Sequence, residues 1–230
     1  MSRLKNERGN ASFYVIWLTF ILGLMLILVI NIADVFLVNQ QASIGVEQAS
    51  LAATNYAYDC VYEDAVEKYD DFLNVKHMEE NEGEPLPGHL RLKYKIDQKM
   101  NEYISGGYTV NEAKMKAIDS NIASHLLSYD GELGKIIDDL LDDVIFRGKL
   151  KDLVESIINE NNGDPSKAKI RLFKKENFGS SYHIEVTSSI EFKGTKFQSF
   201  ISDITMDMEQ SGIGPKIGFA KEINYLSDPY

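Results

Sequence analysis

The sequence predicts an α+β protein built on a membrane helix. An N-terminal transmembrane helix continues into a long extracytoplasmic helix, a helical middle region follows, and an antiparallel β-sheet closes the chain. Three observations predict this. No charged side chain occurs from Gly9 to Ala33. Apolar residues then recur at steps of three and four as far as Ile158. After Lys167 the apolar period falls to two.

The first element is a short basic leader, residues 1–9, expected on the cytoplasmic side. The span follows over residues 10–33. Its stretch from Ala11 to Ile30 measures about 30 Å as a helix, the thickness of a bilayer's hydrocarbon core. Tyr14 and Trp17 lie near the basic end, where interfacial aromatics collect. Arg3, Lys5 and Arg8 precede the span, so the positive-inside rule directs the N-terminus to the cytoplasm and the bulk of the chain outside. The rival reading is a cleaved signal peptide. That needs an apolar core of about 7–15 residues followed by a small-x-small site. Here the run is longer, and the residues beyond it, "NIADVFLVNQQ", stay apolar at helical spacing. Retention in the cell membrane, as a single-pass protein, is the expectation.

The helix is expected to extend over residues 34–75. Ile32, Val35, Val38, Ala42, Val46, Ala49 and Ala53 form a stripe that narrows from large residues to alanines. Small residues admit close approach of another element. The stripe packs either on the chain's own outer domain or on neighbouring copies, and the spacing does not choose between them. Tyr58, Val61, Tyr62, Ala65, Val66, Tyr69 and Leu73 carry the pattern onward, as packing rather than a ligand cage. Cys60 is alone, so no intrachain disulfide forms. It reads as a small residue on a helix face, with a dimer cross-link as the other use.

A basic leader ending in "ERGN", an apolar helix and then "ADVFLVNQQASIGVEQASLAAT" together resemble the TadE/TadG-like proteins, pseudopilin-type partners in assembly of the tight-adherence (Flp) pilus. Asp34, Gln40, Gln41, Gln48, Ala49, Leu51, Ala52 and Ala53 carry the resemblance over the first quarter of the chain. "ISDITMDMEQSG" is similar to the family's ending. The resemblance implies a non-enzymatic assembly component whose partners are the lipid bilayer and other pilin-like subunits or pilus-assembly membrane proteins, with a homo-oligomer among the arrangements. It also implies prepilin-type processing between Gly9 and Asn10. Cutting there makes Tyr14 the fifth mature residue, where many pilins carry a glutamate thought to pair with a neighbour's N-terminal amine. An ion pair buried in lipid is costly to break, and Tyr14 supplies no such charge. An uncut accessory of the assembly machine is therefore the companion reading.

Residues 76–89, with "HMEENEGEPLPGH", read as an acidic loop rich in Gly and Pro, and residues 90–230 as the extracytoplasmic α+β domain. Within it a helix from Leu90 to Ile104 stops at Gly106-Gly107. Thr109 or Asn111 caps the next, which carries Met115, Ile118, Ile122 and Leu126. One stripe runs from Leu133 through Ile136, Ile137, Leu140, Leu141 and Val144 to Ile145. Leu150, Leu153, Val154, Ile157 and Ile158 extend the helical region. Asp138, Asp139, Asp142 and Asp143 fall between these and read as a solvated face. The strands are "AKIRLFKK", "SYHIEVTSSIEFKG" and "TKFQSFISDITMDME", with Ile184, Val186, Ile204, Met206 and Met208 on one parity. "KGT" at Gly194 signals a hairpin, and the tail after "SGIGPK" finishes the sheet or lies loose.

Charge excludes one class of partner. Beyond residue 31 the chain holds 21 Lys and Arg against 34 Asp and Glu, a balance of −13, which repels nucleic acid. No GxSxG, HExxH, P-loop or GxGxxG is present, and His77, His89, His125 and His183 are scattered. No catalytic residue, metal ligand or cofactor is expected. The "GIGPK" segment opens no helix and is no phosphate cradle. The sequon Asn10-Ala11-Ser12 lies at the membrane edge on the cytoplasmic side and is set aside. The other function the sequence admits is a single-pass, membrane-anchored extracytoplasmic protein that binds a ligand or partner. An anchored enzyme ranks below both.

Overall fold

The computed structural model describes residues 4–128, 131–175, 181–192 and 206–221. The layout is α+β: mostly helical, with a long apolar N-terminal helix and a small three-stranded antiparallel sheet near the C-terminus. The first helix, α1 (Leu4–Cys60), has 57 residues and is about 85 Å long. It runs so far because nothing stops it: the first proline of the chain is Pro85. A single π turn (Val61–Ala65) joins it to α2 (Val66–Glu80) without a break in helical backbone.

The loop expected from residue 76 begins later. His77 to Glu80 are still helical, because no breaker occurs before Gly83. The stop is a turn in which Glu82 and Gly83 take positive φ of 52° and 90°. The segment beyond is tied back where the Leu86 N–H donates to Asn74 Oδ1 at 2.8 Å.

Helix α3 (Leu92–Ser105) starts on a cap that no local pattern shows. Asp70, buried on α2, accepts from the Leu92 and Lys93 N–H groups at 2.6 and 3.0 Å. Those are two of the donors a helix start leaves without partners. Helix α4 (Val110–Ser128) begins on a capping box. Thr109 N–H and Oγ1 both donate to Glu112 Oε2, and the Glu112 N–H returns to Thr109 Oγ1.

The stripe from Leu133 to Ile145 is not one helix. Helix α5 (Glu132–Asp142) ends, and α6 (Val144–Glu160) begins, around an extended Asp143. The Asp143 side chain accepts from the Ile145 N–H at 2.8 Å, which makes it the N-cap of α6. Val144 and Ile145 consequently leave the core and are 83% and 65% exposed. Leu133, Ile137, Leu140 and Leu141 from α5, with Phe146, Leu150, Val154 and Ile158 from α6, are buried.

Strands β1 (Lys169–Lys175), β2 (Tyr182–Phe192) and β3 (Met206–Ile213) pair antiparallel in that order. A bulge interrupts β1 between Arg171 and Lys174, with Phe173 at φ 53°. Ile184 and Val186 face the core, as their parity predicts. Gly194 and Ile204 lie outside the described residues. The ladder pairs Phe192 with Met206, so a two-residue turn at Gly194 does not close this pair. After β3 the chain keeps following β2. The Gly214 N–H bonds to Ile184 O and the Ile217 N–H to Tyr182 O. The tail thus stays bonded to β2 as far as Ile217 and then forms a 3-10 turn at Phe219–Lys221, and residues 222–230 lie outside the described ones.

One core joins these layers, running from Ala49 on α1 to Ala220. The sheet lies against α1 between Ala42 and Thr54, and α6 runs alongside. Contact is close because β3 brings glycine there. A Cβ on Gly212 would overlap the Val46 carbonyl, and one on Gly214 the Thr54 hydroxyl. Gly212→Val is therefore expected to destabilise the protein by about 2–4 kcal/mol in urea unfolding, somewhat beyond the usual cost of overpacking because the obstacle is backbone. Gly148→Ala is the opposite case. It lies inside α6 with open space around its Cβ, so the change is expected to stabilise by about 0.5–1 kcal/mol.

Candidate assembly interface

Helix α1 is the element the sequence marks for function, and its two halves differ. From Ala11 to Phe20, and through most positions to Leu37, the side chains are exposed although the segment is apolar. It is the one helix among the described residues long and apolar enough to cross a membrane. Trp17 and Phe20 meet edge to face at 6.2 Å near its start. Gly9 and Asn10, the residues of the implied processing site, lie in its first turns. Tyr14 is 74% exposed.

The small-residue stripe divides along its length. Val35 and Val38 are half-buried. Ala42, Val46, Ala49 and Ala53 are buried at 6%, 2%, 0% and 0% exposure, beneath the chain's own sheet and α6. Of the two coverings the spacing allows, this part of the stripe has the intramolecular one. Asn161 at the end of α6 reaches the same helix. Its Nδ2 donates to Gln48 Oε1 at 3.2 Å, and a Cβ on Gly45 would sit 2.9 Å from its own Cβ. Gln210 on β3 donates to Asn39 Oδ1 at 2.7 Å.

What remains open on this half of α1 is the opposite side. Leu37, Ile44 and Leu51 recur at intervals of seven and are 54%, 47% and 47% exposed. Gln40, Gln41 and Gln48 lie between them on the same side and are also exposed. One apolar residue in every seven, with amides between, supplies one of the two apolar positions per heptad that a helix seam uses and leaves the other polar.

Farther along, the helix is locked to the domain by polar contacts that sequence reading missed. Tyr58 is 1% exposed and donates to Asp119 Oδ1 at 2.8 Å. The Phe219 N–H donates to the same oxygen at 3.0 Å, and a Cβ on Gly218 would fall 2.6 Å from the carboxyl carbon. Burial pushes the Asp119 carboxyl above the ordinary range, and these donors oppose that shift. The signal was present: Asp119 interrupts the stripe of Ile118 and Ile122. Burial, with the nearby Asp119 charge, raises the Tyr58 hydroxyl as well. Tyr56 stacks on Phe146 at 5.5 Å. Tyr62 donates to Asp97, with Lys93 and Lys114 against its ring at 5.0 and 4.6 Å.

On the sheet, Glu185 is buried on the face away from α1. Its carboxylate takes Lys174 Nζ at 2.5 Å, Ser211 Oγ at 3.0 Å and Arg171 at 3.4 Å. Burial alone would raise this group. The hydrogen bonds from Lys174 and Ser211 and the two positive charges outweigh it and hold Glu185 below the glutamate range.

The remaining residues raised by the sequence do not converge. Cys60 is half-buried, and burial raises its thiol. Asp139, Asp142 and Asp143 are exposed, while Asp138 is half-buried and raised by burial. His183 sits at Gly214 O, 2.9 Å away, and His125 at Asn121 O. Among the described residues no three His, Cys, Asp or Glu side chains are grouped to hold a metal ion. The chain matches no protein-family model, no curated protein and no solved structure.

The two buried carboxyls predict opposite pH dependences. Glu185 is depressed, so its contribution is complete above about pH 4.3 and is lost as pH falls through the lowered value. The melting-temperature gap between wild type and Glu185→Gln should widen from pH 3 to pH 7. Asp119 is raised, so its contribution is complete below about pH 3.9 and is lost as pH rises through the raised value. The gap between wild type and Asp119→Asn should narrow over the same range. Thermal melts of both variants in one buffer series check the two signs.

Proposed function

We propose that the chain is a pseudopilin-like or accessory membrane protein in assembly of a Flp/Tad-type pilus or a related secretion apparatus, and that it acts without catalysis. On this reading the N-terminus is cytoplasmic and the α+β domain extracytoplasmic. The observation that carries the reading is α1 itself. One uninterrupted helix is apolar and exposed where a membrane would hold it, and then becomes the support of a folded domain. The TadE/TadG-like resemblance covers the same stretch, from the "ERGN" leader to Ala53.

The surface offered to neighbouring subunits is the seam of Leu37, Ile44 and Leu51. Ala42 and Ala49 are unavailable because the chain's own sheet covers them. A charge at Ala49 would disturb the fold first and test nothing about assembly. A charge at Ile44 leaves the core alone.

A second reading keeps the anchor and drops the assembly role: a single-pass extracytoplasmic protein that binds a ligand or partner. The intramolecular covering of Ala42 to Ala53 favours it, since it removes the closest-packing part of α1 from any neighbour.

The test compares full-length wild type, Ile44→Lys/Leu51→Lys and a variant whose span from Phe13 to Ile30 is replaced by unrelated apolar sequence. Wild type is expected to co-purify with tight-adherence pilus components from cross-linked native membranes. The double-lysine variant should lose at least tenfold of that recovery at unchanged membrane insertion and melting temperature. Wild type that brings down no such component, or a double variant that recovers as well as wild type, would count against the assembly reading. Full activity of the swapped span would favour a simple anchor. The mass of the N-terminal peptide separates the two forms: Asn10 as first residue marks a processed pilin-like subunit, Met1 or Ser2 an uncut accessory.

A further inference from the structure

The cover on α1 begins where its apolar span ends. From Ala11 to Ile30 every residue but Ile27 is exposed. Asn31, Asp34, Val35 and Val38, at steps of three and four, are half-buried, and Ala42 is the first buried position. The domain therefore reaches down its own helix to the edge of the segment apolar enough to cross a membrane.

Strand β3 shows how far that reach goes. With its continuation it runs along α1 in the same sense: Gln210 meets Asn39, Gly212 lies against Val46, and Gly214 against Ser50 and Thr54. From Asn39 to Ser50 the helix rises about 16 Å, and the four steps from Gln210 to Gly214 cover about 13 Å of strand. The two axes are close to aligned, and the side chains of Gln210 and Asn39 span the difference. Met206, the first residue of β3, stands six residues before Gly212, about 20 Å at strand rise. That length equals about 13 residues of helix, which counted back from Val46 ends at Ala33. Phe192, the last residue of β2, pairs with Met206 and shares its level.

Ala33 lies about 4.5 Å past Ile30. A bilayer with about 30 Å of hydrocarbon and about 40–45 Å in all has about 5–8 Å of headgroup on each side. With Ala11 to Ile30 across the hydrocarbon, the Phe192–Met206 end of the ladder falls inside that layer. The loop after α6 stops short of it. The Asp164 N–H donates to Ser189 O, three rungs from the ladder end, which is about 10 Å farther from the span.

We propose that the Phe192–Met206 end of the β2–β3 ladder rests among phospholipid headgroups, on the side of the membrane that holds the domain. This rests on the anchored reading above. Depth selects the occupant, because an anchored α1 carries this end of the sheet to the level of the headgroups. The contact lies beside the helix axis, so it also opposes tilting of the domain towards the sheet side.

The experiment uses full-length Cys60→Ser protein in phosphatidylcholine nanodiscs, with bimane on one introduced cysteine at a time. Asp207→Cys sits one rung from the ladder end. Val144→Cys is the distant control: Val144 is 83% exposed, and its neighbour Phe146 stacks on Tyr56, about 39 Å of helix beyond Ile30. Leu22→Cys reports on the span, where Leu22 is 58% exposed. Lipid carrying a nitroxide on its headgroup is expected to quench the label at position 207 at least twofold and to leave the label at 144 unchanged. Should Asp207→Cys melt early, Glu191→Cys on the facing strand decides. A label at 207 that behaves like the one at 144 overturns the proposal. So does a label at 207 that escapes both the headgroup nitroxide and iodide in the water, which would mean that protein covers this end. Lipid with the nitroxide on its acyl chain separates the two readings. If it quenches at Leu22 while 207 stays unquenched by the headgroup probe, the proposal alone fails. If it leaves Leu22 unquenched, α1 is not in the bilayer and the anchored reading falls with the proposal.

Discussion

The approach of β3 to α1 through Gly212 and Gly214 decides where everything outside the apolar half of the helix can go. Two glycines lay strand backbone against the Val46 carbonyl and the Thr54 hydroxyl, and the small side chains of Ala42, Ala49 and Ala53 leave room for it. Such contact gains dispersion over a broad area and tolerates no added atom. With β3 fixed there, β2 and β1 follow through the ladder. The tail returns along β2 and brings the Phe219 N–H to Asp119. Tyr58 then joins the first helix to the fourth and to the tail at one carboxylate oxygen.

That contact also divides the circumference of α1. One side is spent on the chain's own domain. The other keeps Leu37, Ile44 and Leu51 with their glutamines. From Ala11 to Phe20 every side is exposed, in a stretch apolar enough to cross a membrane. In the assembly reading, the anchor and the seam are then two parts of one uninterrupted helix. A neighbouring helix could follow it without meeting the sheet.

Electrostatics separates the molecule in a similar way. Four glutamates crowd the end of α2 and its turn, Glu79, Glu80, Glu82 and Glu84, while β1 carries Lys169, Arg171, Lys174 and Lys175 and no acid. Glu185 stands inside the basic region and ties Arg171 and Lys174 to the sheet. Its burial makes the pairing matter more than a surface pair would, because less water screens it. The bulge at Phe173 lies at the same edge, between those two basic residues.

The sequence by itself determined the elements whose signal is local. The apolar run, the stripe from Ala42 to Ala53 and the stop at Gly106-Gly107 rest on neighbours within a few turns, and each is where the spacing puts it; of the two caps the sequence allows for α4, Thr109 is the one used. The change of period after Lys167 likewise marked β1 and β2, whereas β3 overlaps the third alternating run only from Met206 and continues to Ile213, into residues read as the tail. Tertiary structure decided what covers those elements, because periodicity names a buried face and not its partner. It turned the alanine stripe onto the chain's own sheet. It placed Asp70 over the start of a helix 22 residues away and let Asp143 split one apolar stripe into two helices. It also set α6 beside β1 around a largely apolar groove, a pairing that no local spacing names.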